Sequence, residues 1–274
     1  MAAIELQPVR GTRDVYPADM RLRRWLFGLW RATAERYGYE EYDACVLEHE
    51  DLYVRKAGDE ITGQLYNFVD KGGRRVALRP EMTPSLARMV MARQGSLGLP
   101  LRWFAVPQCF RYERMQRGRK REHFQWNMDV IGLDSVAAEV ELMAAQVDFL
   151  AAAGVDVAGG EVVIRVSDRR VLQGFLGRLG VDDATFAAAC VVVDKVDKIG
   201  RAATAAQLAE LGIAAGAADA ILDLLAADGI DALAAAAGAD DPGVASLREL
   251  CVLAEAAGIG AAVRIDPSDR KSVV

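Results

Sequence analysis

The sequence has only two histidines and four cysteines in 274 residues, and no two cysteines form a CxxC pair. Because a structural zinc site needs four closely spaced Cys or His ligands, this scarcity argues against one. Three of the cysteines sit among apolar neighbours and are typical of small core residues, and all four are expected to be reduced thiols in a cytoplasmic protein. No run of about 18 apolar residues occurs, so no membrane span is predicted. Residues 1–14 lack the apolar core of a signal peptide.

Positive charge is in deficit over the whole chain, whose formal net charge is −6. That balance argues against nonspecific polyanion binding by the entire surface. One stretch, "FRYERMQRGRKREHFQW" at 110–126, nevertheless gathers six basic side chains: Arg111, Arg114, Arg117, Arg119, Lys120 and Arg121. The apolar fraction of 52% allows a sizeable core, so this basic segment needs an explanation of its own.

Three helices have start and stop signals in the first part of the chain. Apolar residues at helical spacing between Pro17 and Gly38 predict the first helix. Thr83 as N-cap and Pro84 at the first helical position predict the start of the second. The third is predicted over residues 135–154, from a serine cap to a glycine stop.

Extended segments alternate with these helices. Residues 39–48 are typical of one strand, and 59–81 of two strands around a Gly-Gly turn. Residues 101–113 and 121–133 predict two antiparallel strands joined by a long charged loop. From about 175 to 260 the chain is mostly alanine-rich helix, so we expect an α+β first part, a boundary near residue 170, and a small helical part.

Strand alternation puts polar side chains on common faces. The sets that share a face are Arg111 with Glu113, Gln125 with Asn127 and Asp129, and Glu81 with Thr83. Such a face is a poor core and a good floor for a pocket. Its carboxylates could hold an ammonium group, and its arginine could grip a phosphate at two points.

The pattern alone also fits a simpler structure. A charged antiparallel hairpin is most often a solvated edge with ion pairs across the strands, and the basic loop could be a solvated turn. On pattern alone this is the more common case.

Four motifs favour a ligand pocket over a solvated hairpin: "GTRDVYP" at 11–17, "LRPEMTPSLAR" at 78–88, "FRYERMQRGRKREHFQWNMDVIG" at 110–132 and "DKVDK" at 194–198. Their order and separations resemble those of the histidine–tRNA ligases, a family of class II aminoacyl-tRNA synthetases. The third contains motif 2 of that class. The resemblance covers nearly the whole chain and is nearest to the wording of plant organelle-type members.

The resemblance implies a fold with a class II antiparallel sheet flanked by helices and a small helical insertion domain. It also implies a reaction: L-histidine and ATP give histidyl-adenylate and pyrophosphate with the help of Mg²⁺, and histidine then passes to tRNA(His). Members are cytoplasmic homodimers that pair through the segment equivalent to 39–48. Cys45 stands here in place of that segment's usual proline.

The resemblance assigns roles residue by residue, with Arg111 as the catalytic residue that grips the α-phosphate and the carboxylate. Histidine binding is expected from Glu81, Thr83, Arg111, Gln125 and Asp129. ATP binding is expected from Arg111, Glu113, Arg119, Arg121, His123 and Phe124. Many members have glutamate where Asp129 stands. Many also have Phe-His where His123 and Phe124 stand, so the ring that stacks on adenine stays open between these two.

The resemblance also divides the chain. Residues 1–170 correspond to the first part of the catalytic core, 171–262 to an inserted domain that touches the tRNA acceptor arm, and 263–268 to the return to the core. The family continues into "VVRGLAYYTG", motif 3 and an anticodon-binding domain. We therefore expect a fragment with negligible pyrophosphate exchange. Residues 269–274 read as the translation of a sequencing adapter, GAT-CGG-AAG-AGC-GTC-GTG, and are predicted to be a processing scar.

Two other functions remain in competition. One is a non-catalytic paralogue that senses histidine, such as the regulatory subunit of ATP phosphoribosyltransferase. The other is a nucleic-acid-binding module that uses only the basic loop, with strongly salt-dependent binding. Arg111, Glu113 and the "RGR" loop favour the enzyme, because a sensor needs no grip on ATP.

Overall fold

A computed structural model describes residues 4–57, 59–112 and 118–268. The chain divides into two compact units, Met1–Asp134 and Ser135–Val274. The functional boundaries at 170 and 262 stay predictions. Residues 269–274, the predicted processing scar, lie outside the described residues.

The first unit combines helices with short strands. Its helices are α1 (Pro17–Arg36), α2 (Asp51–Ala57), a 3₁₀ helix (Asp59–Gln64) and α3 (Thr83–Ala92). Its strands are β1 (Glu40–Glu41), β2 (Leu47–His49), β3 (Tyr66–Val69), β4 (Arg75–Leu78), β5 (Leu101–Ala105), β6 (Gln108–Phe110), β7 (Glu122–Phe124) and β8 (Asn127–Ile131).

These strands form three small sheets in the orders β1–β5–β8, β2–β4–β3 and β6–β7. All neighbours are antiparallel except β1 and β5, which are parallel. The predicted antiparallel pair 101–113 and 121–133 is confirmed, but each segment divides into two strands. Pro107 lies at the division and has no N–H to donate to a ladder. Its carbonyl oxygen accepts the Gln125 N–H at 3.1 Å, so the two segments stay connected there.

The predicted strand over residues 39–48 is also divided, into β1 and β2, which belong to different sheets. The connection between them is tied down by the buried guanidinium of Arg79, which hydrogen-bonds the carboxylate of Asp43 and the carbonyl of Ala44. A distant side chain thus takes up a backbone group that a continuous strand would have paired with its neighbour.

The helix boundaries follow the local signals closely. Helix α1 begins at Pro17 as predicted and ends at Arg36, with Gly38 beyond it at φ +78°. The prediction for α3 was wrong by one residue, because Thr83 is itself the first helical residue. Met82 precedes it with helical torsions, φ −93° and ψ −32°, and provides no side-chain cap.

The second unit is mostly helical, as the alanine-rich composition predicted. Its helices are α4 (Val136–Ala152), α5 (Arg169–Arg178), α6 (Asp183–Val193), α7 (Val196–Ile199), α8 (Arg201–Glu210), α9 (Ala215–Leu225), α10 (Gly229–Ala237), α11 (Pro242–Ala256) and a 3₁₀ helix (Gly260–Ala262). Two parallel strands, β9 (Ile164–Val166) and β10 (Val263–Ile265), pair with each other.

Two apolar clusters hold this unit together. In one, Val140 and Met143 of α4 pack with Leu250 and Ala254 of α11. The larger cluster joins α5, α6 and α8–α11 around aliphatic side chains, each of which contributes roughly 1.5–3 kcal/mol when fully buried. The predicted serine cap of α4 is confirmed, since the Ser135 hydroxyl accepts the Ala137 N–H at 3.2 Å.

Candidate functional site

The β6–β7 pair carries several of the residues that sequence analysis selected. Cys109 stands opposite His123, and the Arg111 N–H donates to the Arg121 carbonyl at 2.9 Å just beyond the paired strands. Residues that are opposite each other in an antiparallel pair project to the same face. Cys109, His123, Arg111 and Arg121 therefore share one face.

Cys109 lies at the centre of this face and is fully buried. Its thiol donates to Oε1 of Gln125 at 3.5 Å. Burial raises the pKa of the Cys109 thiol to about 11, the charges of Arg79 and Arg111 oppose that rise, and the Glu81 carboxylate adds to it. Glu81, Arg111 and Gln125 are thus brought together around one thiol.

The segment between β4 and α3 lies beside these side chains. The Nε–H of Arg111 donates to the carbonyl oxygen of Pro80 at 3.1 Å, which fixes the orientation of the guanidinium beside Glu81. Glu81 is half-buried, whereas Thr83 is exposed at the first position of α3. Thr83 is therefore near the group in sequence, two residues from Glu81, but is not enclosed with it.

Asp129 lies on β8, opposite Trp103 of β5. Its side chain is half-buried, and its Oδ2 atom is buried with no hydrogen-bond partner within residues 4–57, 59–112 and 118–268. Burial raises the pKa of the Asp129 carboxyl to about 6. A buried carboxylate of this kind is stabilised by any ligand that brings an N–H donor to it.

The basic loop is described only in part. Residues 113–117, which include Glu113, lie outside the described residues. Arg119 is exposed. The guanidinium of Arg121 lies 3.9 Å from the ring centroid of Tyr112, a cation–π contact that holds this arginine at the base of the loop.

His123 and Phe124 point to opposite sides of β7. The Phe124 ring centroid is 5.0 Å from that of Phe27 in α1, and the Arg23 guanidinium lies 4.7 Å above the same ring. Phe124 therefore faces α1, while strand alternation puts His123 on the face of Cys109. A cavity of about 560 Å³ is lined mainly by residues of α1, β7 and the segment 13–15.

A sequence model of the histidyl-tRNA synthetase family matches residues 11–273 of this chain. The chain belongs to the histidyl-tRNA synthetase family. The histidine–tRNA ligase of Arabidopsis chloroplasts and mitochondria is 46% identical over 265 residues, which is 97% of this chain and 54% of that relative. This synthetase-family chain thus spans about half the length of the curated relatives that it matches.

Two solved structures share the class II fold of this chain. The histidyl-tRNA synthetase from Nostoc sp. PCC 7120 superposes with a TM-score of 0.83 at 22% identity, covering 97% of this chain and 62% of that one. An ATP phosphoribosyltransferase regulatory subunit/histidyl-tRNA synthetase from Bacillus halodurans C superposes with a TM-score of 0.85 at 18% identity, covering 98% of this chain and 70% of that one. These likenesses confirm the predicted fold.

Sequence analysis did not identify Arg79, which joins several segments next to the candidate site. It is 3% exposed, and its Nη1 donates at 2.8 Å both to Asp43 and to the Ala44 carbonyl. Its Nε donates to the Gln108 carbonyl at 2.9 Å. Arg79 thereby fixes the end of β4 to the start of β6 and to the segment after β1. No local signal distinguishes this arginine from the exposed ones.

The "GTRDVYP" motif supports the base of the basic loop. Gly11 has φ +94°, and a Cβ there would lie 2.6 Å from Cδ of Arg121. Its carbonyl oxygen accepts the Arg121 N–H at 2.9 Å. Two residues further on, the Arg13 N–H donates to Glu122 at 3.2 Å. The glycine is thus required both for its left-handed torsion and for the close approach of Arg121.

No group of three or more His, Cys, Asp or Glu side chains in the described part of the chain could hold a metal ion. Magnesium typically binds through one or two carboxylates and the phosphates of a nucleotide. Of the helices in the described ranges, none has the length and apolar character needed to cross a bilayer.

Proposed function

We propose that this chain carries the amino-acid-activating site of a histidine–tRNA ligase. The reaction joins L-histidine and ATP to give histidyl-adenylate and pyrophosphate, and the histidyl group then passes to tRNA(His). The observation that carries the proposal is the convergence of Glu81, Arg111 and Gln125 around Cys109, in a chain of this family.

Arg111 is the proposed catalytic residue. A carboxylate oxygen of histidine attacks the α-phosphorus in line, the new O–P bond forms, and the bond to the bridging oxygen breaks as pyrophosphate leaves with its electron pair. The guanidinium of Arg111, oriented by its bond to Pro80, would contact both the α-phosphate and the carboxylate. It would neutralise the charge gathered there and hold the two reactants together.

The second step consumes the adenylate. A ribose hydroxyl at the 3′ end of tRNA(His) attacks the carbonyl carbon of histidyl-adenylate and gives up its proton. The ester bond forms as the bond from that carbon to the phosphate oxygen breaks, and AMP leaves with the electron pair. Magnesium enters as part of the ATP substrate, because phosphates supply most of the oxygens that it needs.

The amino-acid end of the site is assigned to four side chains besides Arg111. Glu81, Thr83 and Gln125 would hold the α-ammonium group of histidine. Asp129 would accept a hydrogen bond from the imidazole N–H. The raised pKa of Asp129, about 6, supports this role, because a ring N–H would relieve the cost of burying the carboxylate.

The nucleotide end is assigned to the loop and to β7. Glu113 would accept from the adenine amino group, and Arg119 and Arg121 would reach the outer phosphates. Between the two aromatic candidates we assign adenine stacking to His123. The packing of Phe124 against Phe27 of α1 supports this choice, since it directs the Phe124 ring away from the face of Cys109.

We further propose a homodimer that forms through residues 39–48 and acts in the cytoplasm. Leu47 and Phe68 are 44% and 50% exposed on the β2–β4–β3 sheet, and their apolar surface supports pairing with a second copy. The four cysteines are all free thiols, which suits a reducing compartment. Analytical ultracentrifugation tests the dimer.

Calorimetry on the 274-residue chain tests the proposed function. The titrants are L-histidine, L-histidine with MgATP, and a non-hydrolysable sulfamoyl analogue of histidyl-adenylate. The enzyme should bind the analogue at least about 100-fold more tightly than histidine, because both half-sites are filled at once. Equal affinity for histidine and the analogue would favour a histidine sensor. Salt-dependent RNA binding without histidine binding would favour a nucleic-acid module.

Arg111→Lys is the matched variant for this experiment. Lysine keeps the positive charge but loses the planar two-point contact. We expect the affinity for the adenylate analogue to fall by about tenfold to 100-fold, with a smaller loss for histidine. An unchanged affinity for the analogue would remove Arg111 from the proposed site.

A further inference from the structure

A cavity of about 280 Å³ lies in the second unit, at the carboxyl ends of the parallel strands β9 and β10. Ser167 and Asp168 directly follow β9, and Pro267 is the second residue after β10. The Asp266 N–H donates to the Val166 carbonyl at 2.9 Å, which keeps the two strand ends side by side. Ligands often bind in the crevice beyond the carboxyl ends of parallel strands, so this position favours a binding site.

Helix α6 lines another side of the cavity. Its contribution consists of Ala187, Cys190 and Asp194, whose spacing of three and four residues puts them on one face of the helix. Cys190 is half-buried, and Asp194 is the C-cap residue of α6. Asp194 also begins the "DKVDK" motif, which has no part in the proposed activating site.

Two opposite charges line this cavity without pairing with each other. The guanidinium of Arg169 lies 5.0 Å from the ring centroid of Phe186, a contact with its flat face that leaves the N–H groups at its edge available. The carboxylate of Asp194 is exposed. Among the described residues, neither of these two charged groups has a hydrogen bond or an ion pair.

The third charge at the cavity is already matched within the chain. Asp168 caps α5, where its carboxylate accepts the Arg170 N–H at 2.8 Å. Both oxygens of that carboxylate also accept from Nε of Arg170, at 3.1 and 3.0 Å. One cation and one anion therefore remain for a ligand, and a zwitterion is complementary to both at once.

We propose that this cavity binds an amino acid as its zwitterion, with the ligand's carboxylate on Arg169 and its ammonium group on Asp194. A guanidinium holds a carboxylate at two points, which fixes the orientation of the ligand. The volume of about 280 Å³ is just below the roughly 300–1,000 Å³ typical of sites for drug-sized molecules, so it suits a smaller ligand. The site is independent of the proposed function, since none of its residues belongs to the activating site.

Three compounds separate the two charges of the ligand. L-leucine carries both, 4-methylpentanoate lacks the ammonium group, and 3-methylbutylamine lacks the carboxylate. The readout is the rate at which iodoacetamide alkylates Cys190 in the 274-residue chain, measured by peptide mass spectrometry. Cys251 is the internal reference, because it is half-buried in the same unit and does not line the cavity.

Bound leucine should shield the Cys190 thiol. Leucine at about ten times its Kd should slow the alkylation of Cys190 roughly tenfold, because only the unoccupied fraction of the protein reacts. The Kd is expected to be on the order of 1 mM, with each singly charged analogue binding at least about tenfold more weakly. The alkylation rate of Cys251 should not change.

Asp194→Asn removes the charge that is expected to hold the ammonium group. It should weaken the binding of leucine and of 3-methylbutylamine by about tenfold, while 4-methylpentanoate keeps its affinity. Asp240→Asn is the matched control, because Asp240 is also an exposed carboxylate of the second unit and lies outside the cavity. This control should leave all three affinities unchanged.

Three results would overturn the proposal: an alkylation rate of Cys190 that leucine does not change, equal protection by all three compounds, or equal affinities in Asp194→Asn and Asp240→Asn. A Cys190 that does not react in the ligand-free chain would overturn it too, because its thiol would then not open onto the cavity. Failure of histidine binding at the activating site would change none of these results. Urea unfolding of each variant confirms that the protein under study is folded.

Discussion

Replacing Asp129 by asparagine should stabilise the protein near pH 7.5, although it removes a residue proposed to bind histidine. The pKa of Asp129 is raised by burial from 3.8 to about 6. Each unit of pKa difference between the folded and unfolded states corresponds to about 1.36 kcal/mol of stability. A difference of roughly two units therefore costs the folded state about 3 kcal/mol when the carboxyl is ionised in both states.

The sign of the pH dependence follows from the direction of the shift. Between about pH 4 and pH 6 the folded state holds a proton on Asp129 that the unfolded state has released. The stability that the folded state retains with Asp129 protonated is fully present below the pKa of this carboxyl in the unfolded state, and it is lost as the pH rises through its pKa in the folded state. An asparagine side chain at this position would carry no charge at either end of the window, so the Asp129→Asn protein should lose this part of the pH dependence.

Urea unfolding followed by tryptophan fluorescence measures the effect near pH 4.5 and near pH 7.5. The variant should gain up to about 3 kcal/mol over wild type at the higher pH and much less at the lower pH. Asp134→Asn is the control, because Asp134 is exposed just beyond β8 and its replacement should change stability by less than about 0.5 kcal/mol. A stability difference that is the same at both pH values would refute the reasoning.

Three further predictions concern packing and the nucleotide end. Gly11→Ala and Gly38→Ala should each lower the free energy of unfolding in urea by about 1–2 kcal/mol, because both positions have left-handed torsions. Gly11→Ala should lower it by roughly 1–3 kcal/mol more, because its Cβ would overlap the Arg121 side chain, whereas a Cβ at Gly38 meets nothing within 4 Å. Equal losses in the two variants would contradict the Arg121 contact. Arg79→Met should lower the unfolding free energy by about 2–4 kcal/mol, because two backbone carbonyls lose their donor; a loss below about 0.5 kcal/mol would show that Arg79 is dispensable. His123→Ala should weaken ATP binding by about fivefold or more in calorimetry, whereas Phe124→Leu should lower stability with little effect on ATP; the reverse pattern would assign stacking to Phe124.

The helices could be predicted from the sequence because their signals are local. Pro17 starts α1, and the hydroxyl of Ser135 caps α4, as each residue type implies. The one-residue error at Thr83 has the same origin, since its side chain is a good cap but the helical torsions of Met82 make Thr83 the first helical residue. Local chemistry sets a helix end only to within a residue or two.

The site could be predicted only in outline. The antiparallel pairing of segments 101–113 and 121–133 was predicted correctly from two extended segments around a charged loop, and the motifs selected Glu81, Arg111 and Gln125. Alternation says nothing about which distant strand lies alongside, so the parallel pairing of β1 with β5 could not be predicted. The central position of Cys109 was likewise hidden, because a buried thiol has no sequence signal beyond its apolar neighbours.

Arg79 and Arg111 look alike in the sequence, but they differ in burial and therefore in the role that we expect for each. Arg79 is 3% exposed, and its bonds to Asp43, Ala44 and Gln108 hold segments of the same unit together. Arg111 is half-buried, and its Nε–H donates to the Pro80 carbonyl, which orients a planar guanidinium of the kind that grips a carboxylate or phosphate at two points. Replacement of the first should therefore appear mainly as lost stability, and replacement of the second mainly as lost affinity for the adenylate. Arg79 also binds the carbonyl of Gln108, the first residue of β6, and Arg111 directly follows that strand. The position of Arg111 therefore depends on Arg79.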